Sequence, residues 1–229
     1  MTLFVALEGI DGAGKGTQTA ALAERVQQAG YRCAVWSFPR YHHTRFGQQV
    51  QRFLHGEFGT LEQVHPLLVS LLFAGDRWES RRGLIEALFT HDVVLCDRYV
   101  ASNQAHQAAK LQGEERQQLL AWIGWLEYEL YVLPRPHLVL WFDLPIDQAQ
   151  QMLRQRAERQ THRPCDLQEQ DREYLQRVRE VYADLAQRDP SWHRVSVVDD
   201  QHQLRTRSQI TEEIWGIVAA RLAAQTASD

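Results

Sequence analysis

The stretch Glu8-Gly9-Ile10-Asp11-Gly12-Ala13-Gly14-Lys15-Gly16-Thr17-Gln18 has the make-up of a loop that closes around phosphate. Glycines let backbone N–H groups approach phosphate oxygens, a following helix start favours negative charge, and a lysine reaches the outer phosphates. Lys15 and Lys110 are the only lysines in a chain that otherwise uses arginine, so composition does not account for Lys15. Gly9, Asp11, Gly12, Ala13, Gly14, Lys15, Gly16 and Thr17 are the candidate nucleotide-binding residues. The strict pattern sets Ser or Thr directly after the lysine, and here Gly16 stands there with Thr17 behind it. A magnesium ion would then rely on carboxylates and waters, with Asp11 and Asp97 as the candidates.

Three further clusters suit an anionic acceptor. Phe38-Pro39-Arg40-Tyr41, Phe73-Ala74-Gly75-Asp76-Arg77 and Asp97-Arg98-Tyr99-Val100-Ala101-Ser102-Asn103 each combine arginine with an aromatic residue. Arginine forks match phosphate oxygens, so Arg40, Arg77 and Arg98 argue for an acceptor that already carries a phosphate. A hydroxyl acceptor would need a carboxylate base, whereas a phosphate monoester is mostly ionised near neutral pH and needs none. Later, Arg154, Arg156, Arg159 and Arg163 surround a single acid, Glu158. They read either as a solvated basic helix face or as a mobile lid carrying guanidinium groups to a transferring phosphoryl.

These residues need a scaffold that gathers them. Apolar β-prone runs at Leu3–Leu7, Tyr31–Phe38, Val93–Cys96, Leu138–Leu144 and Val195–Val198 alternate with helical patterns, which predicts a parallel sheet covered on both faces. The expected fold is α/β, a three-layer P-loop architecture with a central five-stranded parallel sheet flanked by helices. The phosphate loop joins the first strand to a helix over Lys15–Ala29, and the Arg40 and Arg98 clusters come after the second and third strands. All then lie at the carboxyl ends of parallel strands, where open α/β sheets bind ligands. Leu119–Leu133 is apolar on nearly every side, which predicts a core helix or one shared with a second subunit. Ile210, Ile214, Ile217, Val218 and Leu222 form a helical stripe behind a capping box at Thr206–Gln209.

A chain of 229 residues without repeats or linkers predicts one domain over 1–229, with the arginine-bearing lid at about 150–166. The net charge of −4 gives no reason to expect a nucleic-acid partner. Apolar runs reach only about five residues, as at Leu138–Phe142, against the ~20 that span a bilayer. No basic leader precedes the first apolar run, and Cys33, Cys96 and Cys165 lack metal or redox spacing. A cytoplasmic protein with no membrane partner is expected.

Taken together, the Leu7–Lys15 loop, Phe38–Tyr41, Phe73–Arg77, Asp97–Asn103 and an arginine-bearing lid before Asp166 resemble the thymidylate kinase family. The resemblance covers most of the chain in the right order. It implies transfer of the γ-phosphoryl of ATP to dTMP with Mg²⁺, giving dTDP, usually in a homodimer packed through helices. On it, Phe73 stacks on thymine, Arg77 reads a carbonyl of the base, and Asn103 contacts the ring. Arg40 and Arg98 hold the acceptor phosphate, Tyr41 packs by the deoxyribose, and Ser102, His106 and Asp166 complete the acceptor site. Lys15, Arg98 and Asp11 fall to the catalytic set. With Gly12 and Gly16 in the loop, the catalytic arginine must come from the lid, led by Arg154 and Arg159. His106 stands where the family usually has Tyr or Phe, Gln168 stands near a lid tyrosine of some members, and Gly-Lys-Gly-Thr loops resemble those of adenylate kinase. Two other readings remain: a kinase for another pyrimidine monophosphate or a deoxynucleoside, and a P-loop protein that binds nucleotide without turning it over.

Overall fold

A computed structural model describes residues 2–60, 63–159 and 171–226. Its strands are β1 (Leu3–Glu8), β2 (Cys33–Ser37), β3 (Val93–Asp97), β4 (Leu138–Asp143) and β5 (Trp192–Ser196). They form one sheet in the order β2-β3-β1-β4-β5, with every neighbouring pair parallel. The central strands β1 and β4 are buried at every position, as expected when helices cover both faces. Their side chains divide by strand alternation. Leu3, Val5 and Leu7 pack with Leu22, Val178, Tyr182 and Ile214 on one side, and Phe4 and Ala6 with Leu84, Tyr99 and Ile123 on the other.

The helices are α1 (Lys15–Gln28), α2 (Arg45–Leu54), α3 (Pro66–Thr90), α4 (Val100–Ala108), α5 (Gly113–Gly124), α6 (Ile146–Arg159), α7 (Arg172–Arg188) and α8 (Arg207–Thr226). Three of them carry a start signal in the local sequence. Pro66 occupies the first turn of α3, the Thr44 hydroxyl accepts from Gly47 N at 2.8 Å to cap α2, and Asp171 caps α7.

Two sequence expectations need correction. The last strand lies at Trp192–Ser196 rather than Val195–Val198, because β5 is an edge strand with exposed residues and lacks an apolar run. Val198 instead makes an isolated antiparallel bridge with Leu204. The expected helix over Leu119–Leu133 begins earlier, at Gly113, and passes into a π-helical stretch over Trp125–Leu130. Leu119, Leu120, Ile123 and Leu126 face the core, while Trp125, Leu130 and Val132 are about half exposed, so this element is not buried all round. No helix among the described residues is long and apolar enough to cross a membrane.

Candidate active site

The carboxyl ends of β1, β2 and β3 open into a cavity of about 500 Å³. One wall is the loop from β1 into α1, with Asp11, Gly12, Gly14, Lys15, Gly16 and Thr17; Ala13 is buried just behind it. Gly9 turns the chain where no side chain fits: its φ is +145°, and a Cβ there would stand 2.6 Å from the Phe142 carbonyl oxygen of β4. Lys15 is buried and donates from Nζ to the Ile10 carbonyl at 2.8 Å. Burial first, then the like charge of Arg98, bring its pKa down to about 8 against the pull of Asp11, Asp97 and Glu8.

Gly16 lies close against Asp97. A Cβ there would come within 3.1 Å of the Asp97 Oδ2, a tight contact that sets the residue after the lysine directly against a carboxylate. No described residue donates a hydrogen bond to that carboxylate, which ends β3 beside the loop. The donor set suits magnesium, which takes one or two carboxylates and fills its shell with phosphate oxygens and water. Among the described residues no cluster of three acidic, His or Cys side chains exists that would form an all-protein metal cage.

Arg98 comes directly after β3 with φ +66°, an uncommon conformation for a residue with a side chain. Its guanidinium donates to Asp11 Oδ1 at 2.6 Å, to Ser102 Oγ at 3.1 Å and to the Gly9 carbonyl at 3.3 Å, which ties the phosphate loop to α4. Burial pushes the Asp11 carboxyl upward, but the charges of Arg98 and Lys15 outweigh it and hold the group below the usual carboxylate range. Beneath them, the buried Glu8 accepts from Tyr99 N, Ser102 Oγ and Tyr182 Oη, and burial raises its pKa.

His106 lies one turn beyond Ser102 on α4 and lines the cavity. Tyr174 Oη donates to the His106 carbonyl at 2.9 Å and stands 3.1 Å from Nδ1. With that hydroxyl proton committed, Nδ1 must be the donor, leaving Nε2 as an acceptor 3.4 Å from the Arg98 guanidinium. Burial, then Arg98, depress its pKa to about 3, so His106 is a neutral wall of the cavity. The unfolded chain takes up this proton near pH 6.5 and the folded one near 3, so stability attributable to His106 is lost as pH falls through that window. Thermal melts between pH 7 and 4 are expected to drop less steeply for His106→Phe than for the wild type. Parallel curves would contradict the assignment.

The far end of the cavity is apolar, with Phe38, Pro39, Tyr41, Leu54 and Phe73 on its walls. Arg77, one turn after Phe73 on α3, is 2% exposed and makes a two-pronged ion pair with Glu127, which is 0% exposed. Asn103 Nδ2 donates to the same Glu127 at 2.8 Å and to the Ser70 carbonyl at 3.0 Å. Leaving either charge of such a buried pair alone costs roughly 3–5 kcal/mol. Asn103 Oδ1 and Gln107 Nε2 are buried and have no partner among the described residues. Both residues belong to the cavity lining, so an acceptor and a donor without partners lie next to it.

The structure thus brings together the loop, Tyr41, Phe73, Arg77, Asp97, Arg98, Ser102, Asn103 and His106. Arg40 is not on the cavity wall: its guanidinium lies 4.5 Å over the Trp36 ring and donates to Ser80 Oγ at 3.3 Å. Arg154 is exposed on α6. The side chains of Arg156 and Arg159, and all of Arg163, Cys165, Asp166 and Gln168, lie outside the described residues. Sequence reasoning passed over Glu127 and Gln107. The signal for Glu127 was an acid at an apolar-stripe position, since it continues the buried row of Leu120 and Ile123.

A parallel sheet with a phosphate loop after β1, and a guanidinium-lined acceptor cavity at its carboxyl ends, defines a P-loop nucleotide kinase. The thymidylate kinase family model matches residues 7–207. A thymidylate kinase of Mycobacterium tuberculosis is 36% identical over 185 residues, 80% of this chain and 86% of the relative. One from Synechococcus is 33% identical over 228 residues, 98% of each. In fold, a Candida albicans thymidylate kinase superposes with TM-score 0.71 at 22% identity, over 96% of this chain and 92% of that one. The chain belongs to the thymidylate kinase family. It is a kinase that uses ATP to phosphorylate dTMP to dTDP, which decides against the nucleoside and non-catalytic readings.

Proposed function

We propose that the cavity seats dTMP with its phosphate at Arg98 and its base at Phe73, Arg77 and Asn103, while the β1–α1 loop cradles the phosphates of ATP. The observation that carries this is the continuity of one cavity from Lys15 past Arg98 to the unpartnered Asn103 Oδ1. Lys15 draws charge from the transferring phosphoryl, Arg98 orients the acceptor phosphate, and Asp11 holds Arg98 in place. Arg40 supplies a second guanidinium on turning off Trp36, Tyr41 packs by the sugar, and Ser102 and His106 fix the Arg98 side. Asp97 and Asp11 are the residues that would hold magnesium, which would supply charge neutralisation at the phosphates.

In the same reading, residues 1–229 form one kinase domain with its lid at about 150–166. Arg154 or Arg159 supplies the catalytic guanidinium, and Asp166 is a further acceptor-binding residue. The protein works in the cytoplasm, in keeping with the free thiols of Cys33 and Cys96. It pairs as a homodimer through the face where α3 meets the π-helical stretch. Support comes from the exposed Trp78, Trp125, Leu130 and Val132, with Trp78 6.0 Å from the Tyr131 ring.

ADP release with ATP and Mg²⁺ against dTMP, dUMP, UMP, dCMP, AMP, GMP and thymidine tests the site. The expected order puts dTMP first and thymidine last, because thymidine offers Arg98 no phosphate. Equal rates across the monophosphates, or thymidine matching dTMP, overturn the placement.

A further inference from the structure

We infer that Glu127 is a positioning residue that makes the acceptor site read a pyrimidine N3–H, and so separates dTMP from dCMP. The inference rests on the proposed seating of the base against Arg77 and Asn103. Glu127 itself reaches the base only through these two neighbours.

The two ends of the Asn103 amide differ in hydrogen-bonding sense. Its nitrogen donates to Glu127 Oε1 at 2.8 Å and to the Ser70 carbonyl at 3.0 Å. Turned over, the amide would set its own oxygen against a carboxylate and a carbonyl, both acceptors. Its orientation is therefore imposed from behind, and Oδ1 is left buried and without a partner among the described residues, on a side chain that belongs to the cavity lining.

The carboxylate fixes the amide because, paired with the Arg77 guanidinium through Nε and Nη2, it offers acceptors only. A thymine edge presents an O4 acceptor beside an N3–H donor, whereas cytosine presents an amino donor beside a bare N3 acceptor. An arginine beside an amide oxygen complements the first edge and confronts the second with donor against donor and acceptor against acceptor. A site built to hydrogen-bond one pattern rejects the other strongly, since its buried groups are then unpaired. Glu127 serves both halves of that pattern with one carboxylate, from a helical stretch outside the cavity wall.

Glu127→Gln keeps the shape but sets an N–H against a donor whichever way its amide turns, at Arg77 Nη2 and Asn103 Nδ2 or at Arg77 Nε, so it loosens the hold on both the guanidinium and the Asn103 amide. The Ser70 carbonyl still favours the original orientation, so selectivity falls without reversing. The expected result is a ratio of kcat/KM for dTMP over dCMP lowered about tenfold or more from wild type. Both substrates are measured on one preparation, and the ratio does not depend on how much of the variant folds. Proportional losses that leave the ratio unchanged overturn the inference and leave Glu127 a structural residue. Should the variant not fold, N3-methyl-dTMP with the wild type decides. Turnover at least tenfold below dTMP supports the inward Oδ1, and equal turnover overturns it. Absence of wild-type turnover with dTMP would instead defeat the underlying seating.

Discussion

Lys15→Ala is expected to lower kcat for phosphoryl transfer to dTMP by about 10²–10³-fold, the usual loss when one fixed donor to developing charge is removed. The ammonium is buried in the loop, and the Ile10 carbonyl, 2.8 Å away, is its one hydrogen-bonded partner among the described residues. Burial and Arg98 have depressed its pKa to about 8, so in the free protein the site holds its positive charge at a cost. Phosphate oxygens of ATP offset that cost, which is how a destabilised group is made to favour the bound nucleotide. The same shift sets the sign for folding. Below about pH 8 both folded and unfolded chains carry the proton; between about 8 and 10.5 only the unfolded chain does. The unliganded wild type therefore gains stability as pH rises through that window, and Lys15→Ala lacks the gain. Melting temperatures near pH 7 should not fall in the variant, and added ATP should raise the wild type more. Turnover within a few-fold of wild type would refute the role given to Lys15.

Much of this site was readable in the chain because parallel strands leave a strong trace. Buried on both faces, β1, β3 and β4 read as continuous apolar runs, and the loops at the carboxyl ends of β1 and β3 carry site residues by topology alone. The exposed edge strand β5 left no such run, and its bounds were misplaced accordingly. Pairings between distant elements stayed hidden in the chain. Glu127 stands fifty positions from Arg77, and only the packing of the π-helical stretch against α3 brings their charges together. Arg40 shows the converse limit. Its type and place after β2 suggested a cavity residue, yet Trp36, four positions back on β2, offers an aromatic face that holds the guanidinium aside. Gly16 read as a gap in the loop pattern and gained a context only beside Asp97, whose carboxylate would have to give by a few tenths of an ångström before a Cβ there.

Arg98→Ala is expected to cost about as much as Lys15→Ala, and to do so differently, raising KM for dTMP as well as lowering kcat. One guanidinium here spans Asp11, the Gly9 carbonyl and Ser102, so a single side chain sets both the acceptor phosphate and the phosphate loop. Lysine, a point charge without the fork, reaches one of these partners at a time, so Arg98→Lys should recover little. Alanine retains a Cβ at φ +66°, so the backbone strain of the wild type carries over and does not confuse the comparison. The distinguishing readout is pH. Arg98, with Lys15, overcomes the upward push of burial on Asp11 and keeps that carboxyl ionised well into acid. Without Arg98 the largest charge opposing burial is gone, and the Asp11 carboxyl takes up its proton at a higher pH. The acid limb of kcat/KM should therefore move upward in Arg98→Ala and stay in place in a Ser102→Ala control, which leaves the Arg98–Asp11 pair intact. An acid limb unmoved by loss of Arg98 would mean that Asp11 does not depend on it, and that the guanidinium serves the acceptor alone.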